Sequence, residues 1–358
     1  MQKLILTMIS LALFSSCMTI EREGIKNKKE VDKESRYQAL VLYNEGINKI
    51  KEKDYRRALK FLQKSIELNP QEPDTYLAMG IAFGGLGQYA HEVESYDLAL
   101  NVNPKFAAAY NAKGIALAHL EKNDLAIQCF KEAIKLDSKF AKAHINIGII
   151  YAKDKQWDLA LLSFDNAIRA KAELRDAYYN KGYTYELMGK YQDALSCYNS
   201  VIALDEFDSQ SHYSKAAVLN EMGRYDEALS SLNKVTEIAP YWTDAWYNKG
   251  IIYAKKAMIE RSKDEKNKEK TFFEEAVKCF DEALKKDSKH YKAMNNKALA
   301  QYELGDTQNA LASLDKAISA YPKYFEAYFN KGTILESLGK TKDAEKAFEK
   351  AREIREEK

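Results

Sequence analysis

Of the four cysteines in this chain, Cys129, Cys197 and Cys279 lie far apart in sequence, and the five histidines, His91, His119, His144, His212 and His290, are equally scattered. A metal or redox centre needs its thiolates and imidazoles clustered at short spacings. No glycine-rich phosphate loop, His-Glu-x-x-His helix or Gly-x-Ser-x-Gly elbow occurs. Carboxylates such as Glu186 and Glu221 could serve as acid and base on a glycosidic bond. Charged residues recur along every segment, however, and no carboxylate pair is set apart by spacing. The expectation is a chain that binds and does not catalyse, with no cofactor and no metal.

Cys17 is a separate case. The chain opens Met1, Gln2, Lys3, continues with an apolar run from Leu4 to Phe14, and then reads Ser15, Ser16 and Cys17. A basic start, a short apolar core and a small-residue cleavage site make residues 1–16 a secretion signal, because a bilayer span needs about 20 apolar residues. Phe14-Ser15-Ser16-Cys17 resembles the cleavage box of bacterial lipoproteins, departing from it at Phe14, where the family prefers leucine. That resemblance implies a lipidated Cys17 as the first mature residue and acyl chains seated in a bilayer. It places the protein in the bacterial cell envelope, facing an extracytoplasmic compartment. Residues 17–35, rich in Lys and Glu and without helical periodicity, then form a solvated tether.

The elements that follow are set by a period of 34 residues. Gly46, Gly80, Gly114, Gly148, Gly182, Ala216, Gly250, Ala298 and Gly332 mark one small-residue position, and Ala126, Ala160, Ala194 and Ala228 mark another twelve residues later. With Ala39 as position 1, nine repeats cover 39–72, 73–106, 107–140, 141–174, 175–208, 209–242, 243–290, 291–324 and 325–358. Tyr110, Gly114 and Leu117 share one helical face, as do Ala126, Phe130 and Ala133. Small residues at positions 8 and 20 let two antiparallel helices approach closely. Glycine recurs at position 15, a turn position, and Pro70, Pro104, Pro240 and Pro322 stop the second helix at position 32. The chain resembles the tetratricopeptide repeat family. The resemblance implies an all-α fold over residues 36–358, a right-handed superhelical solenoid of antiparallel helix pairs.

In that family positions 2, 5, 6, 9, 12 and 13 face the concave side, where a peptide or protein segment binds. Carried onto this sequence, position 5 holds Tyr43, Tyr179, Tyr213, Tyr247 and Phe329, with Tyr183 at position 9 of the fifth repeat. The copies at Tyr179, Tyr213 and Tyr247 would form an aromatic ladder offering rigid contact area. Position 6 holds Asn146, Asn180, Asn248, Asn296 and Asn330, amides able to clamp an extended backbone. The same amides could instead bridge adjacent first helices and hold the stack together. Position 2 is mostly acidic, with Asp74, Asp176, Asp244 and Glu326, so a clamp for a chain-terminal carboxylate is not expected. Asp176, Glu186, Glu221, Asp244 and Glu336 give the groove an acidic bias that favours a basic or neutral polar partner.

With 55 Lys and Arg against 53 Asp and Glu, the chain has no field to hold a polyanion, and nucleic acid is not an expected partner. The seventh repeat carries 14 extra residues, nearly four helical turns. Divided equally between its helices, they would lengthen both without turning either core face and would project a charged arm around Lys263. After Phe348 and Ala351 no polar helix follows to cover the last hairpin, which opens the alternative of self-association through the terminal repeat, the chain then being a structural envelope lipoprotein.

Overall fold

The computed structural model of the protein describes residues 31–263 and 265–356. The segment read as a secretion signal, residues 1–16, together with Cys17 and most of the residues 17–35 expected to form a tether, therefore lies outside the described residues. Among the described residues the chain is entirely helical, with eighteen helices and no strand. They fall into two compact units, the first reaching Asn180 and the second beginning at Lys181.

In the first unit the helices run α1 (Lys33–Lys51), α2 (Tyr55–Leu68), α3 (Pro73–Gly85), α4 (Tyr89–Val102), α5 (Ala107–His119), α6 (Asn123–Leu136), α7 (Ala141–Lys153) and α8 (Trp157–Ala170). Helix α9 (Arg175–Leu187) contains the border between the units. The second unit continues with α10 (Tyr191–Leu204), α11 (Ser209–Glu221), α12 (Tyr225–Ile238), α13 (Thr243–Ser262), α14 (Lys266–Lys286), α15 (Tyr291–Glu303), α16 (Thr307–Ala320), α17 (Phe325–Ser337) and α18 (Thr341–Glu356). Within each unit a first helix packs on its second, as α5 on α6, and the second packs on the next first helix, as α6 on α7. First helices also touch one another, as α13 does α15 and α15 does α17.

The first-to-second contact explains the small residue at position 8. A Cβ added to Gly114 would lie 2.5 Å from the Phe130 ring, which fills the crossing with 1% of its surface exposed. In repeats six and eight position 8 is alanine, and the facing residue is the smaller Leu232 or Leu314. In those two repeats the smaller leucine leaves room for the alanine methyl in a closely packed core, while repeat one sets Gly46 against Leu62. Repeat two departs from the pattern. Position 20 there is Glu92, where the other eight repeats have alanine, and Gly84 makes room for it.

The turn between the helices requires a left-handed backbone residue at position 15. Gly87, Gly189, Gly223, Gly305 and Gly339 supply it with φ between 71° and 82°. In repeats one, three and four the same conformation is imposed on Lys53, Glu121 and Lys155, at φ of 60°, 59° and 58°. At the other end Asn103 and Asp137 cap their helices and accept backbone N–H bonds two residues on, from Lys105 at 3.0 Å and Lys139 at 2.9 Å.

One boundary differs from the sequence expectation. Helix α1 begins at Lys33, inside the tether of residues 17–35, because the Asp32 carboxylate accepts the Ser35 backbone N–H at 2.8 Å. A cap starts a helix before apolar periodicity becomes visible. The arm of repeat seven is also more firmly held than its composition suggests. Helices α13 and α14 are 20 and 21 residues long, against 13 and 14 for α11 and α12. Ala257 and Phe273 are buried between them, and Arg261 bonds Glu269 and Glu303 at 2.6 Å each.

Candidate partner-binding face

Positions 5 and 6 of the first helices, which the sequence presents as two separate tracks, are joined by hydrogen bonds between consecutive repeats. Asn146 Nδ2 donates to Asn111 Oδ1 at 3.0 Å, Asn248 Nδ2 to the Tyr213 hydroxyl at 2.8 Å, Asn296 Nδ2 to the Tyr247 hydroxyl at 3.1 Å, and Asn330 Nδ2 to Asn295 Oδ1 at 2.9 Å. In every case position 6 donates to position 5 of the preceding repeat. Asn295 Nδ2 also donates to Asn296 Oδ1 at 3.1 Å, so Asn330, Asn295, Asn296 and Tyr247 form one relay through repeats seven to nine. Position 5 of repeat four is the apolar Ile145, which offers no acceptor, and Asn180 turns back to the Asp176 carbonyl at 2.7 Å.

The acceptors Asn111 and Asn295 were missed by sequence reasoning. The signal that finds them is a spacing of 35, one more than the repeat, between polar residues on successive first helices.

The rings divide by exposure. Tyr213 stacks on Trp242 with centroids 4.8 Å apart, and Tyr247 leans on His290 at 4.8 Å; each partner is the last residue of the tyrosine's own repeat. Both phenols are raised above the ordinary tyrosine range, chiefly by burial. Tyr179 is half-buried and belongs to the first unit. Tyr183 and Phe329 are the open ones, at 47% and 48% exposure. Tyr43 is half-buried in a cleft of about 380 Å³ with Arg36, Leu40, Glu72 and Asp74. Its phenol is raised by burial first and then by Asp74 and Glu72.

The second unit holds a cleft of about 430 Å³ among its first helices. Ala216, Ala217, Ile251 and Ile252 make its apolar walls, and Glu186, Asn220, Glu221, Asn248 and Lys255 bring polar groups to it. Glu186 Oε2 accepts the Tyr198 hydroxyl at 2.6 Å. Its carboxyl is raised above the usual range by burial, with the neighbouring Glu221 adding to the shift against that hydrogen bond. Lys255 donates to Asn220 Oδ1 at 3.0 Å, and Asn220 passes its own amide to Glu221 Oε1 at 3.0 Å.

Three lysines of position 7 turn to the preceding second helix. Lys113, Lys297 and Lys331 each reach an aspartate on the preceding second helix, Asp97, Asp281 and Asp315, at 2.5 Å. Lys249 has Asn233 in place of that aspartate and lies over the Trp246 ring at 4.3 Å; its ammonium pKa is lowered, chiefly by burial. Burial also pushes the Cys279 thiol up to about 11, which makes it a poor nucleophile. Among the described residues no disulfide links Cys129, Cys197 or Cys279, no cluster of His, Cys, Asp or Glu could hold a metal, and no helix is long and apolar enough to cross a membrane.

Comparison with known proteins agrees with this geometry. Tetratricopeptide repeat models match residues 39–72, 116–155, 176–208, 209–241, 269–324 and 298–357. No curated protein matches the sequence. Among solved structures the chain is similar to the C-terminal part of a TPR repeat-containing protein from Cytophaga hutchinsonii, at 18% identity and TM-score 0.55, covering 71% of this chain and 98% of that one. PilW, described as a type IV pilus biogenesis factor, is similar at 19% identity and TM-score 0.51 over 57% of this chain and 94% of its own. Pseudomonas aeruginosa PilF is similar at 18% identity and TM-score 0.50 over 58% of this chain and 95% of its own. At such identities the likeness concerns the fold. The repeats matched along most of the sequence, and the helix pairs they form, make this chain a member of the tetratricopeptide repeat family.

Proposed function

We propose that the chain is a non-enzymatic protein–protein interaction scaffold, held at a bacterial envelope membrane by acyl chains on Cys17, that takes a peptide or protein segment on the face made by its first helices. Family membership supports the scaffold, since stacked helix hairpins of this kind serve as extended binding surfaces. The observation that carries the binding reading is the cleft of Glu186, Asn220, Glu221, Asn248 and Ile251. Its apolar walls suit a side chain stem, and its carboxylates favour a basic or neutral polar head.

Selection from a displayed library of extended peptides tests this reading. Enriched sequences should carry a basic residue and bind about tenfold more weakly to Glu186→Gln/Glu221→Gln, an effect of the size expected for a charge pair in a half-buried site. Absence of enrichment over scrambled controls, or equal binding by the variant, overturns it. The anchor is tested separately by labelled palmitate in a bacterial host. Label and membrane fractionation should both be lost in Cys17→Ala, and an unlabelled wild type overturns the lipid assignment.

A second reading, a self-associating structural envelope lipoprotein, rests on repeat nine. Phe348 is half-buried there beside the exposed Phe329.

A further inference from the structure

We propose that the outer face of α17 and α18 is a two-fold interface, with α18 of one copy lying antiparallel to α18 of a second. This deepens the self-association reading and rests on it. The face is a cleft of about 490 Å³ between the two helices, with Phe325, Phe329 and Phe348 on its apolar side. Phe329 packs on Phe325 at 5.8 Å and on Phe348 at 5.6 Å, yet keeps 48% of its surface exposed. The exposed Phe329 and the half-buried Phe325 and Phe348 form one apolar patch open to solvent.

Charge identifies the occupant. Glu336, Glu345, Arg352 and Arg355 also line the cleft, two of each sign, and the exposed Glu345 and Arg352 stand on one stripe of α18, three residues before and four after Phe348. An isologous contact brings the same patch of each copy together with its direction reversed. Antiparallel pairing centred between Phe348 and Glu349 sets Glu345 of each copy against Arg352 of the other and closes the phenylalanine patch between two ion pairs. The stripe is thus complementary to itself. A partner presenting charge of one sign would leave one of the two groups opposed to its like.

The test uses the full chain in sedimentation equilibrium over a wide concentration range, with helix content checked by circular dichroism. The wild type should be a reversible dimer. Glu345→Arg and Arg352→Glu should each weaken it by about tenfold or more, since each places two like-charge contacts in the interface. The double variant Glu345→Arg/Arg352→Glu should return the dissociation constant to near the wild-type value, which damage to the fold would not do. A dimer indifferent to the single reversals, or a double variant as weak as the singles, overturns this interface while leaving self-association standing. A wild type that stays monomeric throughout overturns both and leaves the peptide-binding reading untouched.

Discussion

Tyr96 donates its hydroxyl to Glu92 Oε1 at 3.0 Å in the interior of repeat two, and a Cβ on the facing Gly84 would lie 2.7 Å from the carboxylate. The three residues depart from the neighbouring repeats as a set. Glutamate takes the alanine position, glycine clears its space, and tyrosine in place of phenylalanine brings the donor. Repeat five repeats the logic by another route, with the Tyr198 hydroxyl on Glu186.

Removing one member of the first set should therefore hurt more than removing two. Glu92→Ala leaves the Tyr96 hydroxyl buried without its acceptor and should cost about 1–3 kcal/mol. Glu92→Ala/Tyr96→Phe restores the residue types found in repeats three and four and should recover most of that loss. Urea unfolding of the three proteins measures the coupling, and additive losses would contradict it.

Burial raises the Glu92 carboxyl above its ordinary value of 4.5, against the pull of the Tyr96 hydrogen bond. The sign follows from linkage: the unfolded chain releases this proton at lower pH than the folded one. The stability held by the neutral acid is complete below about the ordinary value and is lost as pH rises through the folded value. Relative to Glu92→Gln, the wild type should lose melting temperature across that interval. Parallel pH profiles for the two proteins would refute the assignment.

The register of these crossings was legible in the sequence because a small residue at position 8 recurs in phase with a bulky one at position 24. Gly114 faces Phe130, Gly148 faces Phe164, and Ala216 faces Leu232. The equal lengthening of α13 and α14 was legible for a related reason, since only a division near whole turns keeps both core faces inward. That the position-6 amides could bridge adjacent first helices was legible as one of two readings, but their acceptors were not, because a period of 34 sorts residues into tracks and hides a pairing offset by one. Nor did the repeat reveal the left-handed turns at Lys53, Glu121 and Lys155, where side-chain identity breaks the pattern and the backbone keeps it.

Gly114→Ala alone should lower stability by about 1–3 kcal/mol, since the added methyl meets the Phe130 ring at 2.5 Å. Gly114→Ala/Phe130→Leu reproduces the alanine and leucine pair of repeats six and eight and should regain most of it. A double variant no better than the single would show that the two positions do not share one space.

The bond from Asn248 to Tyr213 separates the structural role of the asparagine track from a binding role. In a double-mutant cycle of Asn248→Ala and Tyr213→Phe, the coupling should be about 0.5–1.5 kcal/mol in unfolding experiments on the free protein. Zero coupling would mean that the amide is idle until a partner arrives. Substantial coupling makes Asn248 a poor probe of recognition and leaves the exposed Tyr183 as the cleaner one.

Lys53, Glu121 and Lys155 hold the backbone that glycine holds in five other repeats, at φ near 60°. An L-residue with a Cβ in that region costs about 1–2 kcal/mol relative to glycine, and glycine gives back about 0.4–1 kcal/mol through the wider freedom of the unfolded chain. The difference favours glycine, so Glu121→Gly and Lys155→Gly should each stabilise the first unit, by about 0.5–1 kcal/mol. Their effects should add, because the two turns belong to different hairpins. Thermal unfolding followed by circular dichroism measures both, and a loss of stability in either variant would mean that the side chain, and not the turn, holds that corner.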